Sequence, residues 1–375
     1  MMRVCVIAHL PPRRAGGALY AHKLYNEIGR RAKVFIIANR DATSSTNYKI
    51  NSVWESDHIS FSSLLRIVRE IIRLRADIYH LQYEYSIFGS PPFTCIILLL
   101  LLLVISLIKK PRVVTLHGVL PRRLSYLLPL AIFYKFISTL SDRLIVHTEL
   151  MKEVLRSYGI SPNKITVIPH GVDRPRKSGD NPGRRYGDGL KKVLFFGFIR
   201  QSKGLEYLLD VAQKLASRRP DVRVVIAGGI PFQGDRYGYA KKLRRLVSRH
   251  KNVRMILKFI EDDEVDRLVD DSYILVLPYV DSFVETSGVV ARVMAHGKPI
   301  VCTRIPRFFG ELTHKVDCFM VEPRNPEALY RAVEELLSND ELRRRIAENL
   351  KRKAANRFWD KTAEAHLKLY RRIAG

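Results

Sequence analysis

The chain predicts an α/β fold made of two doubly wound parallel-sheet domains in tandem, and three observations predict it. Short apolar, β-rich runs alternate with helical patterns from start to end, which is how a parallel sheet with crossover helices is written. At 375 residues the chain is too long for one ordinary core and suits two. Between the two runs of elements, Asp173–Leu190 (DRPRKSGDNPGRRYGDGL) is rich in Gly, Pro and charge and poor in apolar residues, and it predicts an interdomain linker.

In the first half the strands are predicted at Arg3–Ala8, Lys33–Ala38, Asp77–Leu81, Arg112–Leu116, Arg143–His147 and Lys164–Ile168. The second half repeats the rhythm at Lys192–Phe196, Val222–Ala227, Asn252–Leu257, Tyr273–Leu277, Pro299–Thr303 and Cys318–Val321. Beyond Pro326 the pattern is helical and charged, and in AEAHLKLYRRIAG the residues Leu367 and Tyr370 with Ala365 form one apolar stripe. Residues 1–172 and 191–356 are the predicted domains, joined by the linker at 173–190.

Charge is the unusual feature of the composition: 64 Lys and Arg against 37 Asp and Glu leave a net charge of +27. Such an excess predicts anionic partners without choosing among nucleic acid, anionic lipid and phosphorylated substrates. Basic pairs are dispersed (Arg13 and Arg14, Arg30 and Arg31, Arg184 and Arg185, Lys241 and Lys242). One cluster, Lys109, Lys110, Arg112, Arg122 and Arg123, lies between two very apolar segments, and apolar surface beside basic charge is a membrane-surface signature. The first segment, Phe93–Ile108, carries no charge over sixteen residues. It falls short of the roughly 20 residues a bilayer span needs, so it is either a core-facing helix or one lying in a membrane interface. The second, Leu124–Leu140, has the same two readings with aromatic residues added. Four cysteines (Cys5, Cys95, Cys302, Cys318) stand far apart with no C-x-x-C pair, so neither a zinc site nor a disulfide framework is expected. A reducing, cytoplasmic setting is the expectation, and MMRVCVIAHLPP fits a first strand better than a secretory signal.

Open α/β sheets bind ligands beyond the carboxyl ends of their strands, so residues at and just after each strand end carry most weight. There lie Gly16 and Gly17, His80 and Gln82, His117 and Gly118, His147, His170 and Gly171, Arg200 and Lys203, Gly228 and Gly229, and Glu285 to Gly288. A ligand in a cleft between the halves is the economical reading. Within Val193–Gly204 (VLFFGFIRQSKG) an apolar run stops at a glycine and delivers Arg200 and Lys203 into the turn before a helix. Helix-start N–H groups carry partial positive charge, so a phosphate there gains from the dipole and both side chains. The alternative is an ordinary solvated charge pair. Gly16 and Gly17 precede a helix expected near Ala18, either as a plain tight turn or as a loop that lets a ligand approach the backbone. G-x-G-x-x-G, H-E-x-x-H, G-x-x-x-x-G-K-[ST] and any Asp-x-Asp pair are missing, so no nicotinamide, flavin or metal is required. Glu285 is either a helix-start charge or a carboxylate aimed at sugar hydroxyls.

The assembly resembles family 4 of the retaining glycosyltransferases, which adopt the GT-B fold of two Rossmann-like domains facing a central cleft. The resemblance runs through the glycine pair after the first strand, TLHG, VIPHGVD (Val167–Asp173), FGFIRQSKG, VVIAGG and GKPIV. It implies an N-terminal acceptor domain and a C-terminal donor domain, with a helix at about 357–375 packing back on the first. Arg200 and Lys203 would neutralise the diphosphate of a nucleoside diphosphate sugar, His117 would face the transferred sugar, and Glu285 would stand near it. Gly16, Gly17, Gly228, Thr286, Ser287, Gly288 and Val289 would contact the donor, Gly17 by shaping the loop near phosphate and acceptor. Two departures stand out. The second glutamate of the family's pair falls at Arg292 or Val293, and Phe198 occupies the position of the arginine that often follows the phosphate-loop glycine, with Arg200 as the inferred substitute.

The expected function is retaining transfer of a hexose to a lipid-linked or glycan acceptor at the cytoplasmic membrane face, with no cofactor beyond the donor. A catalytically idle GT-B membrane scaffold is the alternative. A nucleic-acid-binding protein would explain the charge, but no aromatic-basic RNA motif or helix-turn-helix signature is present.

Overall fold

The computed structural model describes residues 1–43, 45–55, 59–85, 91–121, 127–175, 189–231, 234–235 and 238–375. Arg122, Arg123 and residues 176–188 of the predicted linker, which include Arg184 and Arg185, lie outside the described residues. The chain divides into two compact α/β units. The first comprises Met1–Gly171, Phe283–Thr286 and Trp359–Gly375, and the second Val172–Ser282 and Ser287–Phe358.

In chain order the first unit contains β1 (Arg3–Ile7), α1 (Gly16–Ile28), β2 (Lys33–Asn39), β3 (Tyr48–Trp54), α2 (Phe61–Leu74), β4 (Ile78–Tyr83) and α3 (Pro91–Leu107). It continues with β5 (Arg112–Leu116), β6 (Gly118–Val119), α4 (Leu127–Leu140), β7 (Arg143–Val146), α5 (Glu149–Ser157) and β8 (Ile165–Val167). The second unit runs through β9 (Lys191–Phe196), α6 (Leu205–Arg218), β10 (Val222–Ala227), α7 (Tyr239–Val247), β11 (Val253–Ile256), α8 (Asp262–Asp270) and β12 (Ile274–Leu277). After β13 (Val284–Glu285), which returns to the first unit, come α9 (Gly288–Val293), β14 (Ile300–Thr303), α10 (Pro306–Phe309), β15 (Phe319–Val321), α11 (Pro326–Ser338) and α12 (Asp340–Ala355). Finally α13 (Trp359–Ala374) rejoins the first unit.

The larger sheet has the order β3-β2-β1-β4-β5-β7-β8 and the other β11-β10-β9-β12-β14-β15, parallel throughout. All twelve strands expected from the apolar runs are present. The extra edge strand β3 and the two-residue antiparallel pair β6–β13 were not expected. Strand order reverses between β1 and β4 in one sheet and between β9 and β12 in the other, and at such switch points a doubly wound sheet opens a crevice for a ligand.

Buried apolar side chains supply the stability. In the first unit one cluster fills the sheet face under α2, α3, α4 and α5, and another fills the opposite face under α1 and α13. The α13 stripe includes Ala363, Leu367, Leu369 and Tyr370, all buried, with Ala365 at its margin. In α3, Leu98, Leu101, Leu102 and Ile105 point into the core, each worth about 1.5–3 kcal/mol of transfer free energy. The opposite face of that helix is exposed, and no helix among the described residues is long and apolar enough to cross a membrane. Helix starts are set by side-chain caps: Thr148 Oγ1 accepts from Met151 N at 3.2 Å, and Asn325 and Asn339 cap α11 and α12 in the same way.

Candidate active site

In the second unit the site residues gather at the switch point. Strand β9 is buried because Val193, Leu194 and Phe195 face helices on both sides, and it ends at Gly197. The loop is then pinned to its neighbours: Gly197 N donates to Ala227 O at 3.1 Å, Ile199 N to Gly229 O at 2.9 Å, and Val280 N to Ser202 O at 2.9 Å. Strands β9 and β10 approach so closely that a β-carbon on Gly228 would overlap the carbonyl oxygen of Gly197. A short 3-10 turn, Gln201–Lys203, leads to Gly204, whose φ of 61° and contact with the Pro278 carbonyl leave no room for a side chain. Arg200 is exposed, with its guanidinium 5.7 Å from the Phe198 ring. The Lys203 ammonium lies 3.6 Å from the centre of the Tyr279 ring, which follows β12 across the switch point. Arg307 approaches the same ring at 5.7 Å and is paired with Asp281 at 2.9 Å.

Helix α9 abuts this loop. Ser287 caps it by accepting from Val290 N at 3.3 Å, Gly288 is exposed at its first turn, and the Val289 methyl would lie 3.2 Å from a β-carbon at Gly197. Glu311 is a buried carboxyl pushed up by desolvation and held by Arg357 at 2.7 Å. Arg292 is committed to the protein itself: it meets Asp173 at 3.0 Å and Asp266 at 3.2 Å and donates to the Asp262 carbonyl at 2.6 Å. Val293 is fully buried. Neither residue of the predicted second-glutamate position therefore offers a carboxylate.

In the first unit the same rule assembles a different chemistry. Helix α1 begins at Gly16, two residues before the expected start, and the Glu84 carboxylate lies against Gly17 across the β1–β4 switch point. His117 is half-buried after β5, and its Nε2–H donates to Gln82 Oε1 at 2.8 Å. His147 Nδ1–H donates to the Ile168 carbonyl at 2.9 Å. Each neutral ring carries one N–H, so the His117 Nδ1 and His147 Nε2 that face each other at 3.3 Å both present lone pairs. Tyr20 of α1 stands among them, its ring 4.7 Å from His117, 5.1 Å from His147, 4.9 Å from His170 and 5.3 Å from Trp359. Burial, then the neighbouring imidazoles, hold His117 well below the usual histidine range, and burial pushes His147 down to about 3.

Glu285 is not at a helix start. It sits in β13, paired antiparallel with Gly118, and its Oε2 would lie 3.4 Å from a β-carbon there. The first unit thus brings Glu285 beside the strand end that carries His117, with Thr286 half-buried next to it. Sequence reasoning missed Glu84, Tyr20 and the Arg307–Asp281 pair. Glu84 was within reach, since it follows Gln82 at the same strand end. Among the described residues, no group of three or more His, Cys, Asp or Glu is placed to hold a metal ion.

Two doubly wound units with polar clusters at both switch points define the two-domain architecture used by GT-B glycosyltransferases. The model of glycosyl transferases group 1 matches residues 184–353, and that of glycosyltransferase family 4 matches residues 14–176. The chain belongs to this glycosyltransferase family. It is 29% identical over 238 residues to an uncharacterized glycosyltransferase of Methanocaldococcus jannaschii, covering 60% of this chain and 58% of that one. Against a D-inositol 3-phosphate glycosyltransferase of Corynebacterium urealyticum it is 29% identical over 246 residues, 62% of this chain and 57% of the relative. The matched region therefore spans less than two thirds of either relative's length. Anabaena HepE, solved in complex with UDP, shares the fold with a TM-score of 0.77 at 16% identity, covering 100% of both chains.

Proposed function

We propose that the chain is a nucleotide-sugar-dependent glycosyltransferase that moves a hexose, with retention of configuration, to a lipid-linked or glycan acceptor at the cytoplasmic face of a membrane. The observation that carries this reading is the second unit's switch point, where the β9 loop places Lys203 beside Tyr279 and Arg200 in solvent, with α9 packed alongside. Breaking the bond from the sugar's anomeric carbon to the diphosphate leaves negative charge on the departing group while the sugar becomes oxocarbenium-like. Cations fixed where that charge forms stabilise the transition state more than the ground state. The acceptor hydroxyl attacks from the face the diphosphate leaves, and the leaving phosphate oxygen takes its proton. His117, neutral at physiological pH, and Glu285 on the adjacent strand face the sugar in this reading.

Relatives and neighbours support the donor class: their names include glycosyltransferases, and HepE was solved with UDP. Thermal-shift measurements with UDP, GDP and ADP test it first, because a ligand that binds only the folded state raises the melting temperature. Lys203→Gln is then expected to lower donor turnover by about 10²–10³ with the fold intact. Near-normal turnover in that variant would remove the mechanism. One observation favours an idle scaffold instead, the occupation of Arg292 by protein carboxylates, and acceptor-independent hydrolysis of UDP-sugars by the wild type would discard it.

A further inference from the structure

Among the described residues, ten of the sixteen large apolar side chains left exposed lie on three helices of one sheet face. Five form a single line on α3: Phe93, Ile96, Leu100, Leu103 and Leu107, at 66%, 55%, 43%, 47% and 75% exposure. Their spacing of three and four residues keeps them on one side of the helix, opposite the side that packs on the sheet. Helix α3 packs against both α2 and α4, and the apolar surface continues onto them through Phe61, Leu65 and Ile72 on one side and Ile132 and Phe136 on the other.

The borders of this surface are basic. Lys109 and Lys110 stand exposed just past α3, Lys135 on α4, and Arg66, Arg69 and Arg73 along the far flank of α2. That flank lines a groove of about 440 Å³ against β3, where Arg66 donates to the Val53 carbonyl and Glu70 pairs with Arg73. Glu70 is the one carboxylate in the three helices, and it is half-buried.

We propose that the α2–α3–α4 face of the first unit docks on an anionic lipid leaflet, with α3 lying in the plane of the interface. A helix of 17 residues is about 25 Å long, and this one runs back from the carboxyl end of β4, so its Phe93 end lies toward the carboxyl end of the sheet, as His117 does. Apolar side chains enter the acyl boundary while lysines and arginines meet lipid phosphates, a pairing that a neutral or uncharged partner would not reward. A second copy of the chain is disfavoured by charge, since face-to-face packing would oppose two basic borders. The inference deepens the reading of the acceptor as membrane-held and rests on it for its purpose, while its test needs no catalysis.

The test is flotation of the full chain with vesicles of phosphatidylcholine alone or with roughly one third phosphatidylglycerol, at low and high salt. Wild type is expected to float with the anionic vesicles at low salt and to be released by salt. I96Q/L100Q/L103Q/L107Q should lose at least about tenfold in vesicle partition, and K109Q/K110Q/K135Q a few-fold with a flatter salt response. Leu107→Gln alone, at the most exposed position of the line, covers the case in which the quadruple variant misfolds. Unchanged partition of these variants, or equal flotation on neutral vesicles, overturns the proposal. So does a wild-type dimer that the substitutions turn into a monomer. Acceptor-independent donor hydrolysis, measured on the same preparations, separates the two failures: hydrolysis without flotation sinks the docking face alone, and flotation without hydrolysis sinks the enzymatic reading alone.

Discussion

The two units share a doubly wound plan and a switch point, yet they bury their polar groups in opposite ways. In the first unit the buried histidines are met by uncharged partners. His80 binds Thr115 Oγ1 at 2.7 Å and Tyr25 Oη at 2.8 Å, His366 donates to the Thr362 carbonyl at 2.8 Å, and His117 and His147 lean on Gln82 and a backbone oxygen. Burial holds these imidazoles neutral, His366 at about 4. In the second unit buried charges stand in pairs: Arg292 with Asp173 and Asp266, Arg307 with Asp281, Arg357 with Glu311, and Lys353 with Asp317. One fold therefore tolerates two solutions to the same desolvation problem, and they fail under different stresses. Neutral imidazoles fail when acid charges them, and ion pairs fail when one member is removed.

The largest effect should come from the ion pairs. Arg292→Met strands the carboxylates of Asp173 and Asp266 in a buried setting and is expected to cost about 3–5 kcal/mol in urea unfolding. A loss below about 1 kcal/mol would mean water reaches those groups. Acid sharpens the contrast from the other side. The histidines' folded pKa values lie below 6.5, so between about pH 6.5 and 4 the unfolded chain binds protons that the folded one refuses. Their stability is fully present above that window and is lost as pH falls through it, by about 1.4 kcal/mol per pH unit for each such group. His366→Asn removes one group and should flatten the slope of stability against pH by that amount. Smaller still is Asn339→Ala, which deletes the α12 cap and should cost about 1 kcal/mol with no pH dependence near neutrality. At the lower end, Lys214→Gln breaks a solvent-exposed pair with Glu327 and should leave the unfolding midpoint close to that of wild type at every salt concentration of a titration.

Much of this plan was legible in sequence because its signal is local. Each parallel strand is a short apolar run, and every residue of ILVL in β12 is buried as such a run demands. Loop residues such as Arg200 and Lys203 were legible for the same reason, since the strand, the glycine and the helix start adjoin them. Strand β3 was not, because YKINSVW mixes polar and apolar positions at a sheet edge, where only part of the strand is covered. Pairing of β13 with β6 was out of reach: two residues carry no periodicity, and their partner lies far away in the chain. Helix α3 shows the remaining limit. A segment apolar on every side does not reveal which side packs, and the exposed line became visible only once the sheet was in place.

The interleaving of the units bears on how the polypeptide is made. Met1–Gly171 leaves a ribosome first but lacks β13 and α13, and α13 supplies Leu367, Leu369 and Tyr370 to the core beneath α1. The segment Met1–Gly171 thus stays incomplete until β13 and α13 have emerged, and deleting α13 injures the first unit rather than the second.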